Sequence, residues 1–149
     1  MSDAPAEKVG AVLGLDVGSV RVGVAAGDPT GTIASPLVVL PRSDSRKLWE
    51  RLREQVAARE VTRVVVGLPR LLDGSEGDMA RDARDFAEAA RRELAVDVVM
   101  WDERLTTVQA ERSMIAAGER RQARRRSVDA VAAALMLQSW LDARRAVSP

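Results

Sequence analysis

From Val9 to Leu40 the apolar residues fall into three short runs, AVLGLDV, VGVAAG and TIASPLVVL, separated by the turn-prone Gly18, Ser19, Asp28, Pro29 and Gly31. This pattern predicts three consecutive antiparallel strands. In SDSRKLWERLREQVAARE the period changes: Leu48, Leu52 and Val56 recur at four-residue spacing with Trp49 alongside, which predicts an amphipathic helix capped by Ser43 or Ser45. The short β-branched run VTRVVVGLP, ended by Gly67 and Pro69, reads as a strand buried on both faces. After the loop RLLDG, Ser75 and Asp78 resemble a capping box for a helix with the apolar face Met79, Ala83, Phe86, Ala90 and Leu94. VDVVMW then predicts a fifth strand ending at Asp102 and Glu103. Thr106 and Gln109 form a full capping box for a helix over TVQAERSMIAAG, with Gly118 as its stop, and a last helix runs from about Arg125 into DARR.

The order is βββαβαβαα. Opening hairpins imply antiparallel pairing and helical connections imply parallel crossovers, so the expected fold is an α/β mixed five-stranded sheet with helices on its faces. With 149 residues the chain is the size of one domain, expected over 9–145 between short tails at 1–8 and 146–149. No internal repeat or long linker interrupts it.

Composition narrows the chemistry. Hydrophobic residues at 46% and charged residues at 30% fit a water-soluble globular protein, and no apolar run approaches the ~20 residues of a membrane span. The acidic start MSDAPAEK has no signal-peptide core, so a cytoplasmic location is expected. The chain has no Cys and no His. That excludes disulfides, thiol nucleophiles, zinc–thiolate sites, imidazole ligands and a Ser-His-Asp triad. What remains is carboxylate chemistry, and carboxylates are hard ligands suited to Mg²⁺ or Mn²⁺. The net charge of +1 hides a basic run in ERRQARRRS, with Arg120, Arg121, Arg124, Arg125 and Arg126. It reads either as an anion-binding segment or as a solvated stretch between two helices.

Three acids stand where acids are costly. Asp16 interrupts the apolar strand of Val12, Leu13, Leu15 and Val17, within G-x-D-x-G-x-x-R-x-G-x-A, so it needs a cleft, a charge partner or a metal unless it is simply a surface hairpin residue. Glu103 follows the fifth strand beside Asp102, at the kind of strand end that ligand sites favour, although acids there also solvate turns and cap helices. Asp129 breaks the apolar helix SVDAVAAALMLQSWL, and the competing explanation is attraction to that helix's N-terminal dipole. Should the three converge, two divalent ions about 4 Å apart would polarise a phosphodiester and activate water without histidine.

Four ordered motifs cover nearly the whole chain: GLDVGSVRVGVA at 14–25, VVVGLPRLLDGSEG at 64–77, WDERLTTVQAE at 101–111 and SVDAVAAALMLQSWL at 127–141. On these the sequence resembles the YqgF/RuvX family of Holliday-junction-resolvase-like proteins in the ribonuclease H-like superfamily. The resemblance implies strand order 3-2-1-4-5 with strand 2 antiparallel, Mg²⁺- or Mn²⁺-assisted nuclease activity, and Asp16, Glu103 and Asp129 as the metal-holding catalytic acids. Two departures stand out. The Asn-Met that often follows the family's GLP is Leu71 and Leu72 here, and the usual Lys before the helical Asp is represented by Arg124, Arg125 and Arg126, which keep the charge but change the hydrogen-bond geometry.

The family resemblance implies two substrates, the 5′ end of precursor 16S ribosomal RNA and branched DNA such as a Holliday junction, with the RNA favoured. The chain has no Tyr, one Phe and three Trp, and Phe86 and Trp140 read as core, so it offers no aromatic platform for bases. Recognition is then expected through backbone charge and shape, by Arg21, Arg70, Arg104 and the arginines at 124–126. A two-fold substrate would suit a homodimer. Readings from other classes are an actin-like or sugar-kinase-like ATPase, which would need a second domain, and a catalytically silent nucleic-acid scaffold.

Overall fold

The computed structural model describes residues 10–105 and 121–147, with side chains at 105, 121–127 and 147 left undescribed. The expected helix over TVQAERSMIAAG, with its cap and stop, lies outside these residues, as does the N-terminal tail. The elements are β1 (Ala11–Val17), β2 (Arg21–Gly27), β3 (Ala34–Pro41), α1 (Ser45–Arg59), β4 (Val61–Leu68), α2 (Asp78–Leu94), β5 (Asp97–Asp102), a 3-10 turn (Glu103–Leu105) and α3 (Arg121–Val147). The five strands form one sheet in the order β3-β2-β1-β4-β5. The β1–β2 and β2–β3 pairs are antiparallel, and β1–β4 and β4–β5 are parallel. Among the described residues no helix is long and apolar enough to cross a membrane.

Strand alternation divides the core between the two faces of the sheet. Leu13, Leu15, Val22, Val24, Val64 and Val66 face α1 and α2, where they meet Leu48, Leu52 and Phe86. Trp49 stacks on Phe86 with ring centroids 4.8 Å apart. On the other face Val12, Ala25 and Val65 meet Ala133, Met136, Leu137, Trp140 and Leu141 of α3. The central β4 is covered on both sides, as its unbroken apolar run requires.

Glycines set how closely α3 lies on the sheet. A Cβ on Gly14 would stand 2.8 Å from the Leu137 Cβ, and one on Gly23 would overlap the Asp129 carbonyl. Because both lack a side chain, the start of the described part of α3 is pressed against β1 and β2 beside Asp16.

Several local expectations are corrected. Asp44, rather than Ser43 or Ser45, caps α1, its carboxylate accepting from the Lys47 amide at 3.2 Å. α2 starts from Gly77 without a side-chain cap, because Ser75 is engaged by Asp73, its amide and hydroxyl donating at 2.8 and 2.6 Å. Met79 is 61% exposed, and Ala80 and Ala87 take its place on the buried face. The last helix is described from Arg121, so Arg121, Arg124, Arg125 and Arg126 lie within it, earlier than the expected start near Arg125.

Two glycines on the same face of β2 test the close packing of α3. Gly23→Ala should destabilise the protein by roughly 1–3 kcal/mol, the usual cost of overpacking. Gly27→Ala should stay within about 1 kcal/mol of the parent, because its added Cβ would meet nothing nearer than Leu141 at 3.6 Å. Urea denaturation of both variants checks the contrast; equal stabilities would show that α3 is not held against Gly23.

Candidate active site

The parallel strands β1, β4 and β5 all end at one edge of the sheet, and β2 begins there. Asp16, the penultimate residue of β1, pairs with Gly23 of β2. Since Leu15 and Val17 face α1 and α2, alternation leaves Asp16 on the α3 face. Glu103 opens the turn directly after β5 and lies over Gly67 near the end of β4. A Cβ on Gly67 would overlap the Glu103 carboxyl and stand 2.9 Å from its Cγ, so this glycine supplies the space in which the side chain sits.

Asp16 and Glu103 are hydrogen-bonded side chain to side chain. Two carboxyl groups this close favour a protonated form of one of them. Burial pushes the Glu103 carboxyl up to about 8, with further contributions from its hydrogen bond to Asp16 and from the charges of Asp16 and Asp102. Burial raises Asp16 as well, but the hydrogen bond from Glu103 favours its ionised form, while the charge of Asp129 opposes it. Of the two carboxyls, Glu103 is the one pushed furthest toward its neutral form.

Asp129 lies about two turns into α3, which begins at Arg121. The helix dipole acts within the first turn, so it does not account for this acid. The backbone of Asp129 packs on Gly23, and its carboxylate accepts a hydrogen bond from Arg21 Nε at 2.6 Å. All three acids are thus at one end of the sheet. Asp16 and Glu103 touch, whereas Asp129 acts on Asp16 through charge and is paired with Arg21. Among the described residues no three acidic side chains form a ready-made metal cage. The donor set nevertheless suits a hard divalent cation: oxygen ligands only, partly buried, with the Arg21 guanidinium already beside Asp129.

The expected phosphate-binding arginines differ in how they are held. Arg104 forks onto Asp102, with Nη2 donating at 2.7 Å and Nε at 3.1 Å. Arg70 makes only a loose pair with Glu76, at 3.7 Å, because Arg84 donates to both carboxylate oxygens of Glu76 at 2.7 and 2.6 Å. Arg70 Nε is buried and has no hydrogen-bond partner among the described residues. The side chains of Arg124, Arg125 and Arg126 lie outside the described residues, although their backbone belongs to α3.

Arg42 is a contributor that the sequence pattern did not single out. Its Nη1 donates to the Gly18 carbonyl and to Asp82, both at 2.7 Å, and Nη2 donates to Asp82 at 3.1 Å. Its amide donates to the Val20 carbonyl, and its guanidinium stands 5.4 Å from the Phe86 ring centre. The β1–β2 turn that separates Asp16 from Arg21 is thereby tied to α2. A lone polar residue between a strand and a helix carries no periodic signal that would mark it.

The raised Glu103 carboxyl makes stability depend on pH. Glu103 has a folded-state value near 8 against an ordinary 4.5. Between those values the unfolded chain has released a proton that the folded chain keeps, so stability falls as pH rises across the window. In chelator, urea denaturation from about pH 5 to about pH 8 should show this decline, and Asp16→Asn should lessen it, leaving the part that burial alone causes. An unchanged slope in the variant would show that Asp16 does not contribute to the shift.

The model of the RuvX Holliday junction resolvase family matches residues 10–143. A Mycobacterium leprae protein named "Putative pre-16S rRNA nuclease" is 50% identical over 138 residues, spanning 92% of this chain and 75% of the relative. A protein of the same name from Thermoanaerobacter pseudethanolicus is 38% identical over 135 residues, spanning 90% and 97%. Among solved structures, T. thermophilus RuvC in complex with a Holliday junction substrate aligns with a TM-score of 0.60 at 18% identity, covering 93% of this chain and 98% of that one. Fowlpox virus resolvase with Holliday junction DNA aligns at 0.53 and 13% identity, covering 90% and 98%. The fold is shared with these resolvase structures, and the family match spans all three acids: the chain belongs to the RuvX Holliday junction resolvase family.

Proposed function

We propose that this chain is a divalent-metal-dependent nuclease that cuts phosphodiester bonds in maturing the 5′ end of precursor 16S ribosomal RNA, with Asp16, Glu103 and Asp129 as its metal-holding acids. The observation that carries this reading is the gathering of Asp16, Glu103 and Asp129 at one end of the sheet, with Glu103 seated over Gly67 and the Asp129 backbone over Gly23. Carboxyl groups drawn together against their own repulsion are a frequent mark of a functional site. Mg²⁺ or Mn²⁺, as one ion or as a pair about 4 Å apart, would supply Lewis-acid polarisation of the phosphodiester and of the attacking water. Asp16 would lie at the centre of the ligand set, and Glu103 would give up its carboxyl proton on joining it. Asp129 would complete the set from α3. Gly67 would keep Glu103 oriented toward Asp16.

RNA is preferred because relatives at 50% and 38% identity carry the pre-16S rRNA nuclease name. The second reading, cleavage of branched DNA, is favoured by the family's description and by the junction complexes of its structural neighbours. In either case Arg21, Arg70, Arg104 and the arginines at 124–126 would contact phosphates, and a homodimer would offer two sites to a two-fold substrate.

The test is cleavage of precursor 16S RNA, single-stranded RNA and a four-way DNA junction in Mn²⁺ and in Mg²⁺, beside Asp16→Asn. Substitution of even an outer partner of a metal ligand lowers affinity or activity about 10–100-fold. Loss of a ligand charge should therefore reduce cleavage by more than about 100-fold while the fold persists. An Asn variant that cuts at the parental rate would remove Asp16 from the chemistry, and cleavage of the DNA junction alone would overturn the RNA assignment.

A further inference from the structure

We infer that Arg21 is an exchangeable counter-cation for Asp129: its guanidinium holds the carboxylate until a divalent ion claims it, and is then released at the same sheet edge to engage a substrate phosphate. The inference rests on the proposed metal site and adds a coupling between metal and substrate binding.

Arg21 is the first residue of β2, and Asp129 is anchored through its backbone against Gly23, two residues further along that strand. Exchange therefore requires only side-chain rotation, with no movement of α3. Among the described residues Arg21 meets Asp129 at one point, Nε to Oδ2 at 2.6 Å, in contrast to the two-point forks of Arg104 on Asp102 and Arg42 on Asp82. The Arg21 side chain is 57% exposed and that of Asp129 31%. Exposed ion pairs hold weakly, so an ion with several oxygen ligands can displace the guanidinium.

The pairing also accounts for the incomplete cage. Asp16 and Glu103 are already in contact, and the third acid is engaged by a cation belonging to the chain itself. Once displaced, Arg21 adds a positive charge beside the ligand set. Its planar fork matches phosphate, so metal should strengthen substrate binding and substrate should strengthen metal binding by the same factor.

The experiment is a titration of the metal-free full chain with Mn²⁺ alone, free Mn²⁺ being read by electron paramagnetic resonance, for the parent, Arg21→Gln, Asp129→Asn, the double variant and Asp16→Asn. Coupled equilibria of this kind change affinity by about 5–150-fold. Arg21→Gln should therefore tighten Mn²⁺ binding at least about fivefold in the parent and have little effect in the Asp129→Asn background, where the contested carboxylate is gone. Equal tightening in both backgrounds would mean ordinary charge repulsion and would overturn the exchange, as would no tightening in either. Asp16→Asn reports on the metal site separately: if it weakens binding while Arg21→Gln changes nothing, the site stands and the exchange falls. Parental binding in Asp16→Asn, or no Mn²⁺ binding by any form, overturns both.

Discussion

A carboxylate on an apolar strand has to be neutralised by something, and the site follows from how this chain meets that demand. Asp16 shares a sheet edge with Glu103 and Asp129, and the three negative charges would repel one another if all were ionised. The guanidinium of Arg21 offsets the charge of Asp129, and burial pushes the Glu103 carboxyl toward its neutral form. Gly14, Gly23 and Gly67 make the crowding possible, because side chains at those positions would push α3 or Glu103 off the sheet. The repulsion at the edge is sustained by the packing beneath it, where Leu137, Met136 and Leu141 bury the α3 face against Val12, Ala25 and Val65.

Most of the sheet was legible in the sequence because its signals are local. Apolar runs bounded by glycine and proline marked the first four strands and acidic residues ended the fifth, and the change from hairpins to helical connections separated the antiparallel pairs from the parallel ones. The strand order came from family resemblance and was confirmed by the pairing. Asp16 and Asp129 stood out as charges in apolar company, and Glu103 as the point where a strand's pattern ends. What was not legible depends on three-dimensional competition. Three candidate oxygens surround the start of α1, and only the folded chain selects Asp44; Ser75 was taken by Asp73 before it could cap α2. Met79 matched the helical period, yet it lies in the first turn of α2, 61% exposed at the rim, while the buried face is filled by Ala80 and Ala87.

The arginines show the same limit. Sequence gave Arg21, Arg70 and Arg104 one shared role, whereas the fold sets them apart by their partners. Arg104 is fixed by a two-point contact with Asp102, Arg70 keeps a buried Nε without a partner among the described residues, and Arg21 is committed to one of the acids. Arg42 belongs to a fourth kind, joining the β1–β2 turn to α2 through the Gly18 carbonyl and Asp82. Its guanidinium acts on the geometry around Asp16 from the opposite face of the sheet, across the Phe86 ring.

In the proposed site a divalent ion takes the place of a proton held by Glu103 beside Asp16. Calorimetric titration of the full chain with Mn²⁺ at about pH 7, repeated in two buffers of different ionisation enthalpy, counts the protons released as metal binds. With Glu103 near 8, metal binding should release close to one proton per chain. Mn²⁺ binding that released none would contradict the account, because the ion would then sit somewhere other than on the pair.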